Sequence, residues 1–265
     1  MTLTVATWNI NSVRLRLPLL ARLAAEARPD VICLQETKVT DDLFPSAAIA
    51  DLGYPHQIFH GMKGYNGVAI LSRRKLEATG TRGWCGKADC RHAFAILPGG
   101  IELHNFYVPA GGDVPDPRAN PKFAHKLRFI REIGDWWATS ATKSARRILV
   151  GDLNVAPLPN DVWSHKQLLD VVSHTPVEVK LLGRLQAAHG WVDAIRHFVP
   201  AEEKLYSWWS YRALDWRKSD RGRRLDHVWV TPALSKALGE MCILKDARSW
   251  PTPSDHVPVL LVLSV

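Results

Sequence analysis

The chain has 265 residues, of which 46% are hydrophobic and 23% are charged. A chain of this length and composition can bury a large core, which excludes a disordered protein and predicts one globular domain over residues 1–265. The formal net charge of +8 at pH 7 favours a polyanionic partner, for which nucleic acid is the usual candidate.

The cysteines and the first residues indicate the cellular compartment. The four cysteines show neither the spacing of zinc ligands nor that of a disulfide framework. The segment Met1–Trp8 lacks the basic flank and apolar stretch of a signal peptide, and no later segment has the roughly eighteen apolar residues of a membrane span. We therefore expect a cytoplasmic protein that does not enter a membrane.

The first two predicted strands both end in polar side chains. Residues Leu3–Asn9 alternate in polarity, which predicts a strand with one buried face, and Asn9 and Asn11 lie at its exit. The continuous apolar run Val31–Gln35 predicts a strand buried on both faces, with Glu36 just past its end. Taken alone, Glu36 would be interpreted as a solvated side chain.

Apolar spacing and turn residues define the next elements. They predict helices over Leu19–Ala27, Asp41–Leu52, Phe123–Trp137 and Lys180–Trp191. They predict strands over His56–His60, Gly67–Leu71, His92–Leu97 and Ile101–Val108. Successive strands without helices between them favour antiparallel pairing over a Rossmann-type chain. The basic residues of the third helix, Lys126 among them, are expected on a solvated face.

A third polar cluster follows the apolar run that begins at Ile148. Gly151 is followed by Asp152 and Asn154, whose two-residue spacing places both side chains on one face of a strand. A carboxylate and a carboxamide suit a hard cation such as Mg²⁺ and the orientation of a water or phosphate. An apolar strand followed by Gly and Asp is common in α/β proteins, so this pattern alone does not indicate a catalytic site. Tyr107 lies at a strand end and would by itself be interpreted as a packing aromatic.

The segment from 206 to 230 combines aromatic and basic side chains. Its members are Tyr206, Trp208, Trp209, Tyr211 and Trp216 with Arg212, Arg217, Lys218, Arg221, Arg223 and Arg224. Planar faces and cations together are typical of nucleic-acid binding, although some of these aromatics are expected to pack in the core. Two further polar groups border strands: Asp226 begins one strand, and Asp255 and His256 precede the apolar run Val257–Leu263.

The polar clusters together indicate metal-assisted phosphodiester hydrolysis. They occur in five separate parts of the chain, always between an apolar strand and a loop. This reaction needs one carboxylate to hold Mg²⁺, another to take a proton from water, and donors that face the phosphoryl oxygens. A carboxylate beside His256 would hold its ring as imidazolium, which suits the last role.

The ordered set of motifs resembles the exonuclease III family of abasic-site endonucleases, in the endonuclease/exonuclease/phosphatase superfamily. The motifs are Thr7–Asn11, Leu34–Lys38, Asn66–Ala69, Asn105–Pro109, Gly151–Pro157, Tyr206–Arg212, Arg224–Asp226 and Ser254–Pro258. The resemblance runs from the first strand to the last. It implies a four-layer α/β sandwich, in which two packed mixed β-sheets are flanked by helices, with the active site at one end.

The resemblance also implies roles for individual residues. The implied catalytic residues are Tyr107, Asp152, Asn154, Asp226 and His256. The implied metal site is drawn from Asn9, Glu36, Asp152, Asn154, Asp255 and His256. The implied DNA-binding residues are Lys38, Trp208, Arg212 and Leu225. The expected cofactor is Mg²⁺, which Mn²⁺ can replace, and the expected partner of a monomer is double-stranded DNA with abasic sites or 3′ blocks.

The implied reaction is incision 5′ of an abasic site to leave a 3′-hydroxyl, with 3′→5′ exonuclease and 3′-phosphatase activity. Two departures from the pattern bear on specificity: Ala110 stands where several relatives have Asn or Gln, and Arg223 where some have an aromatic. Two alternatives remain open. One is a phosphoesterase acting on an inositol phosphate or a phospholipid head group, and the other is a DNA-binding repair accessory without turnover.

Overall fold

The computed structural model describes residues 2–140, 144–213 and 215–265. The strands, in chain order, are β1 Thr2–Asn9, β2 Val31–Gln35, β3 His56–His60, β4 Val68–Ser72, β5 Ala78–Thr81, β6 His92–Leu97, β7 Ile101–Tyr107, β8 Arg147–Asp152, β9 Val192–Asp193, β10 Trp208–Trp209, β11 Gly222–Arg223, β12 Asp226–Val230, β13 Leu238–Ile243 and β14 Val259–Ser264. The α-helices are α1 Leu17–Glu26, α2 Ser46–Asp51, α3 Pro121–Thr139, α4 His165–Leu168, α5 Pro176–His189, α6 Ala194–Phe198 and α7 Trp216–Ser219. Short 3₁₀ helices lie at Asp41–Leu43, Pro159–Asp161, Pro232–Ala237 and Lys245–Ser249.

Two mixed sheets form the centre of the molecule. Among the described residues each has six strands, in the orders β13-β14-β1-β2-β4-β3 and β5-β6-β7-β8-β12-β9. In the first sheet β1 is parallel to β2 and antiparallel to β14. In the second sheet β7 is parallel to β8, and β12 runs antiparallel to β8. β10 and β11 form a separate antiparallel pair.

The two sheets pack face to face and are covered by helices on their outer faces. Alternate residues of a strand point to opposite faces, so Val5 of β1 lies in the core between the sheets while Ala6 packs under α1. In the second sheet Val150 points to the central core and Leu149 to the layer of α3 and α5. The predicted four-layer α/β sandwich is therefore confirmed.

Most predicted elements are present, and the differences have local causes. The expected helix Asp41–Leu52 is interrupted because Pro45 restricts the residue before it, Phe44, to an extended conformation. The last long helix begins at Pro176, earlier than expected, because Thr175 caps it. The edge strands β5 and β13 were not predicted, because they are largely exposed and lack a regular apolar pattern. None of the helices in the described ranges combines the length and apolar character that a membrane span requires.

Candidate active site

The strand pairing brings the polar clusters to one end of the sandwich. Asn9 ends β1, and Glu36 follows the parallel strand β2. In the other sheet Tyr107 pairs with Asp152 at the ends of the parallel strands β7 and β8. Asp226 is the register partner of Asp152, because β12 begins where the antiparallel β8 ends. Residues distant in the sequence therefore meet at a common rim.

Several rim residues have left-handed backbone conformations. Glu36, Lys38 and Asn154 have φ angles of 53°, 55° and 53°, and Asn11 has a φ angle of 49°. Such angles are uncommon for residues other than glycine, and they cluster at functional sites where the surrounding structure holds them. These positions lie one to three residues after the ends of β1, β2 and β8, where the chain leaves the sheets.

Asp152 lies at the centre of the rim and is almost completely buried. It accepts hydrogen bonds from the Asn9 amide at 2.9 Å, from the Asn154 backbone N–H at 2.9 Å and from the Asn154 amide at 3.1 Å. Burial raises the pKa of Asp152 to about 7, against the lowering effect of the nearby His256. A carboxylate with such a pKa can accept a proton near neutral pH.

His256 and Asp226 form a buried hydrogen-bonded pair. Nδ1 of His256 lies 2.8 Å from Oδ2 of Asp226, and Nε2 lies 3.7 Å from Oδ2 of Asp152. Burial alone would lower the pKa of His256, but the two carboxylates outweigh it and raise the pKa to about 10. The ring is therefore an imidazolium at neutral pH, with a proton on each nitrogen. In this state both ring nitrogens can donate hydrogen bonds.

Glu36 has a different environment, with several donors around it. Its Oε1 accepts from the Asn9 amide and the Tyr107 hydroxyl, both at 2.9 Å, and its Oε2 lies 2.7 Å from Nζ of Lys38. Burial opposes ionisation of Glu36, but Lys38 and Asn9 outweigh it and lower its pKa. Burial and the adjacent Glu36 and Asp152 raise the pKa of Tyr107 well above its ordinary value, so this hydroxyl stays protonated.

Asp255 completes the acidic side of the rim. One of its oxygens accepts from the Asn11 amide at 3.1 Å and the other from the Trp208 indole at 2.9 Å. Asn11 also accepts from Nζ of Lys38 at 2.5 Å. These contacts connect the residues before β14 to the loops that follow β1 and β2, and they fix the ring of Trp208 at the edge of the site.

The acidic set fits a hard divalent cation. Four carboxylates converge at the rim, those of Glu36, Asp152, Asp226 and Asp255. His256 and Lys38 are cations in contact with them. Oδ1 of Asp226 is buried and has no hydrogen-bond partner among the described residues. Ligand atoms of Asp152, Asp226 and His256 all lie within 4.8 Å of one another. The carboxylate and amide oxygens of the rim are ligands of the kind that Mg²⁺ prefers.

The rim borders a cleft of about 820 Å³. Its lining includes Glu36, Asp152, Asn154, Asp255 and His256, and also the predicted DNA-binding residues Trp208, Arg212 and Leu225. Lys38 lies beside Glu36 and is partly exposed. The cleft therefore places aromatic, apolar and cationic side chains next to the acidic rim.

The aromatic-basic segment is only partly available to a ligand. Tyr206 and Trp209 are buried and pack against each other, as expected for some of its aromatics. Arg224, one of the basic residues of this segment, is buried, and its guanidinium binds Asp161 at 2.7 and 2.9 Å and Asp193 at 2.7 Å. Its charge is neutralised inside the protein, because a buried cation requires carboxylate partners.

A buried ion pair that was not predicted lies beneath the site. Nζ of Lys126 lies 2.5 Å from Glu178, both side chains are fully buried, and Lys126 donates to the Asn154 carbonyl at 2.7 Å. The expectation that Lys126 is solvated was wrong. Its spacing from Ile130 and Trp137 places it on the apolar face of α3, which was the available signal. For Glu178, the signal was its position three residues after Thr175, which is a capping-box pattern.

A buried histidine beside the site makes stability dependent on pH. Nε2 of His227 lies 2.8 Å from the Val155 carbonyl, and Nδ1 lies 3.3 Å from the Arg224 guanidinium. Since Arg224 can only donate, Nδ1 is unprotonated and Nε2 carries the proton. Burial and Arg224 lower the pKa of His227 from 6.5 to about 4. Protonation therefore favours the unfolded chain, and the stability is present above pH 6.5 and lost as the pH falls toward 4.

We expect His227→Gln to make the free energy of unfolding less dependent on pH between 6.5 and 4. Glutamine can donate to Val155 and accept from Arg224 but does not titrate. The free energy of unfolding, measured with denaturant at several pH values, should fall less between pH 6.5 and 4 in the variant, by roughly 1–3 kcal/mol. The exposed His197→Gln serves as the matched control and should retain the wild-type slope. Parallel profiles for wild type and His227→Gln would contradict the assignment.

Comparisons with known proteins agree with this geometry. The model of the endonuclease/exonuclease/phosphatase family matches residues 6–256. The exodeoxyribonuclease III of Haemophilus influenzae is 32% identical over 270 residues, covering 96% of this chain and 97% of that protein. An AP endonuclease structure from Archaeoglobus fulgidus has a TM-score of 0.92 and 31% identity, covering 99% and 100% of the two chains. A structure of the 3′ phosphatase NExo from Neisseria, bound to a product DNA hairpin, has a TM-score of 0.91 and 30% identity, covering 99% and 100%.

These matches cover almost the entire chain. The chain therefore belongs to the endonuclease/exonuclease/phosphatase family, in the group that includes exodeoxyribonuclease III and the AP endonucleases.

Proposed function

We propose that the chain is a metal-dependent DNA repair phosphodiesterase. It incises DNA 5′ of an abasic site to leave a 3′-hydroxyl, and it also acts on 3′ ends as a 3′→5′ exonuclease and 3′-phosphatase. The observation that carries this proposal is the convergence of Glu36, Asp152 and Asp255 with the buried imidazolium of His256 at one cleft. Binding alone would not need a proton acceptor and a protonated ring in contact with the same cavity.

The contacts of the rim residues support a role for each of them in this reaction. Asp152 takes the proton of the attacking water, because its pKa lies near neutrality, and Asn154 orients that water. His256, held as imidazolium by Asp226, donates to the scissile phosphate and stabilises the charge that develops there. Tyr107 keeps its proton and can donate to a phosphate or to the leaving oxygen.

Glu36, Asn9 and Asp255 would hold Mg²⁺, for which Mn²⁺ can substitute, with Asp152 and Asn154 as further oxygen donors. When bound, the ion would polarise the phosphoryl group and neutralise charge on its oxygens. The buried, unpartnered oxygen of Asp226 and the excess of carboxylates support a divalent cation at this rim.

The substrate in this proposal is double-stranded DNA with an abasic site or a blocked 3′ end. Lys38 and Arg212 would contact backbone phosphates, and Trp208 and Leu225 would line a pocket for the extrahelical deoxyribose. The net charge of +8 supports a polyanionic ligand. We propose that the protein acts as a monomer, since one chain supplies all the rim residues. We also propose that it acts in the cytoplasm.

Incubation of the protein with Mg²⁺ and a duplex containing one tetrahydrofuran site tests the proposal. The expected product is a nick on the 5′ side of the site with a 3′-hydroxyl that a DNA polymerase can extend. The same duplex without the site, and the reaction with excess EDTA, serve as controls. Hydrolysis of small phosphate esters alone would favour the head-group phosphoesterase, and binding without a product would favour the repair accessory.

We expect DNA affinity to fall steeply with salt, because cationic side chains release counterions when they contact phosphates. Replacing Arg212 by alanine should lower the slope of log affinity against log salt by about 1. Fluorescence anisotropy with a labelled tetrahydrofuran duplex in EDTA measures this slope. The exposed Arg131→Ala in α3 is the matched control and should leave the slope unchanged. A slope equal to that of wild type in Arg212→Ala would remove Arg212 from the DNA contact.

A further inference from the structure

Arg223 lies in the wall of the cleft, in the pocket that we assign to the substrate. Its strand β11 pairs with β10, which makes Arg223 the register partner of Trp208. The guanidinium carbon lies 5.3 Å from the centre of the Trp208 ring. Leu225 lines the same cleft. The pocket that we propose for the deoxyribose therefore has a cation as well as aromatic and apolar surfaces.

The charge of Arg223 is not neutralised by the protein. Nη1 donates to the Val172 carbonyl at 3.0 Å and to the Ser173 hydroxyl at 2.8 Å, and Nε has no partner in the described part of the chain. Both acceptors are neutral. The neighbouring Arg224, in contrast, binds two carboxylates, Asp161 and Asp193. A partly buried cation without an anionic partner is unfavourable.

The two hydrogen bonds also fix where the charge lies. The bonds to Val172 and Ser173 attach the guanidinium to one wall of the cleft, and the Trp208 ring lies along its face. Arginine has five N–H donors in a rigid fork, and these two bonds use only part of them. Burial lowers the pKa of Arg223, and the more distant Glu178 opposes this effect. The cation is thus held in place before any ligand arrives.

We propose that Arg223 selects 3′ ends that carry a negative group beyond the scissile bond, such as the carboxylate of a phosphoglycolate ester, over equivalent neutral groups. This inference rests on the proposed function and specifies its substrate. In the reaction the water oxygen bonds to phosphorus and the bond between phosphorus and O3′ breaks. The electron pair of that bond stays on O3′, which gains a proton to become the 3′-hydroxyl. The group that remains on the phosphate, with its carboxylate, is the one that occupies the pocket beside Arg223.

A pair of substrates that differ in one charge tests this selection. Both are gapped duplexes with a phosphodiester at the 3′ end, which is esterified in one case to glycolate and in the other to neutral ethylene glycol. The ratio of their kcat/KM values cancels effects on DNA affinity and on the chemical step. We expect wild type to favour the glycolate ester by at least about tenfold, as for other charge-assisted contacts in a buried site.

Arg223→Met should abolish most of this preference, mainly by slowing the glycolate ester, whereas Arg223→Lys should retain part of it because the charge remains. Arg221→Met removes another cation from the same cleft and is the matched control, which should keep the wild-type ratio. A wild-type ratio in Arg223→Met would overturn the proposal. It would show that Arg223 only supports the wall at Val172 and Ser173 or only contacts a backbone phosphate.

Wild type alone provides a test that does not depend on the folding of any variant. Equal kcat/KM values for the two esters overturn the role of Arg223 while leaving the proposed function intact. Failure of wild type to cleave both esters and the tetrahydrofuran duplex overturns the proposed function itself. The two failures are therefore distinguishable.

Discussion

Replacing Asp152 by asparagine is expected to lower the turnover number for incision of a tetrahydrofuran duplex by about 10³-fold or more. Asparagine has nearly the same shape and can still accept from the Asn154 backbone N–H, but it cannot take a proton from water. The loss should appear in kcat, because the proton moves only during the reaction. Affinity for DNA should not weaken, since the substitution removes a negative charge from the cleft. Single-turnover incision with saturating enzyme, combined with anisotropy titration in EDTA, measures the two quantities separately.

The matched control is Asp113→Asn, because Asp113 is an exposed carboxylate that lines the same cleft. This variant should retain kcat within about threefold, as expected for a group that does not act on developing charge. A tenfold or smaller loss in Asp152→Asn would contradict the role of Asp152 as the proton acceptor. An equal loss in both variants would instead indicate a general effect of charge in the cleft.

Replacing Lys126 by methionine is expected to lower the free energy of unfolding by about 3–5 kcal/mol, because it leaves the buried Glu178 without its cation. Lys126 also donates to the Asn154 and Ala110 carbonyls, so the loop after β8 should lose its support. Glu178 in turn accepts from the Ser173 and Thr175 backbone N–H groups, which hold another part of the cleft wall. Equilibrium unfolding in urea, followed by tryptophan fluorescence, measures the effect.

Lys122→Met is the matched control, because it makes the same substitution at an exposed position of the same helix. It should change the free energy of unfolding by no more than about 0.5 kcal/mol. The double variant Lys126→Met, Glu178→Leu should be less destabilised than the sum of its single variants, since it leaves no buried charge unpaired. A loss below about 1 kcal/mol in Lys126→Met would show that the pair contributes little to stability.

Local sequence patterns were sufficient to predict the long strands and helices, but they did not predict the strands at the edges of the sheets. The strand Val31–Gln35 has the predicted bounds, because a continuous apolar run flanked by polar residues has few alternatives. The edge strand β13 has exposed residues on both faces, so no periodicity marked it. Helix α3 was predicted, but its buried Lys126 was assigned to solvent because a lysine is almost never buried unless it is paired. The partner that makes its burial possible, Glu178, lies 52 positions later in the sequence.

The sequence by itself determined most of the long strands and helices, the positive charge, and the polar residues at the ends of strands. These features depend on local periodicity and composition, and the resemblance to a known family assigned them their roles. Only the tertiary structure decided that the His256 ring lies 2.8 Å from Asp226 and is protonated. It also decided that Arg224 is neutralised by Asp161 and Asp193 while its neighbour Arg223 is left without a carboxylate. The physical reason is that burial and the distance between charges set the protonation and pairing of a side chain, and both depend on residues brought together by folding.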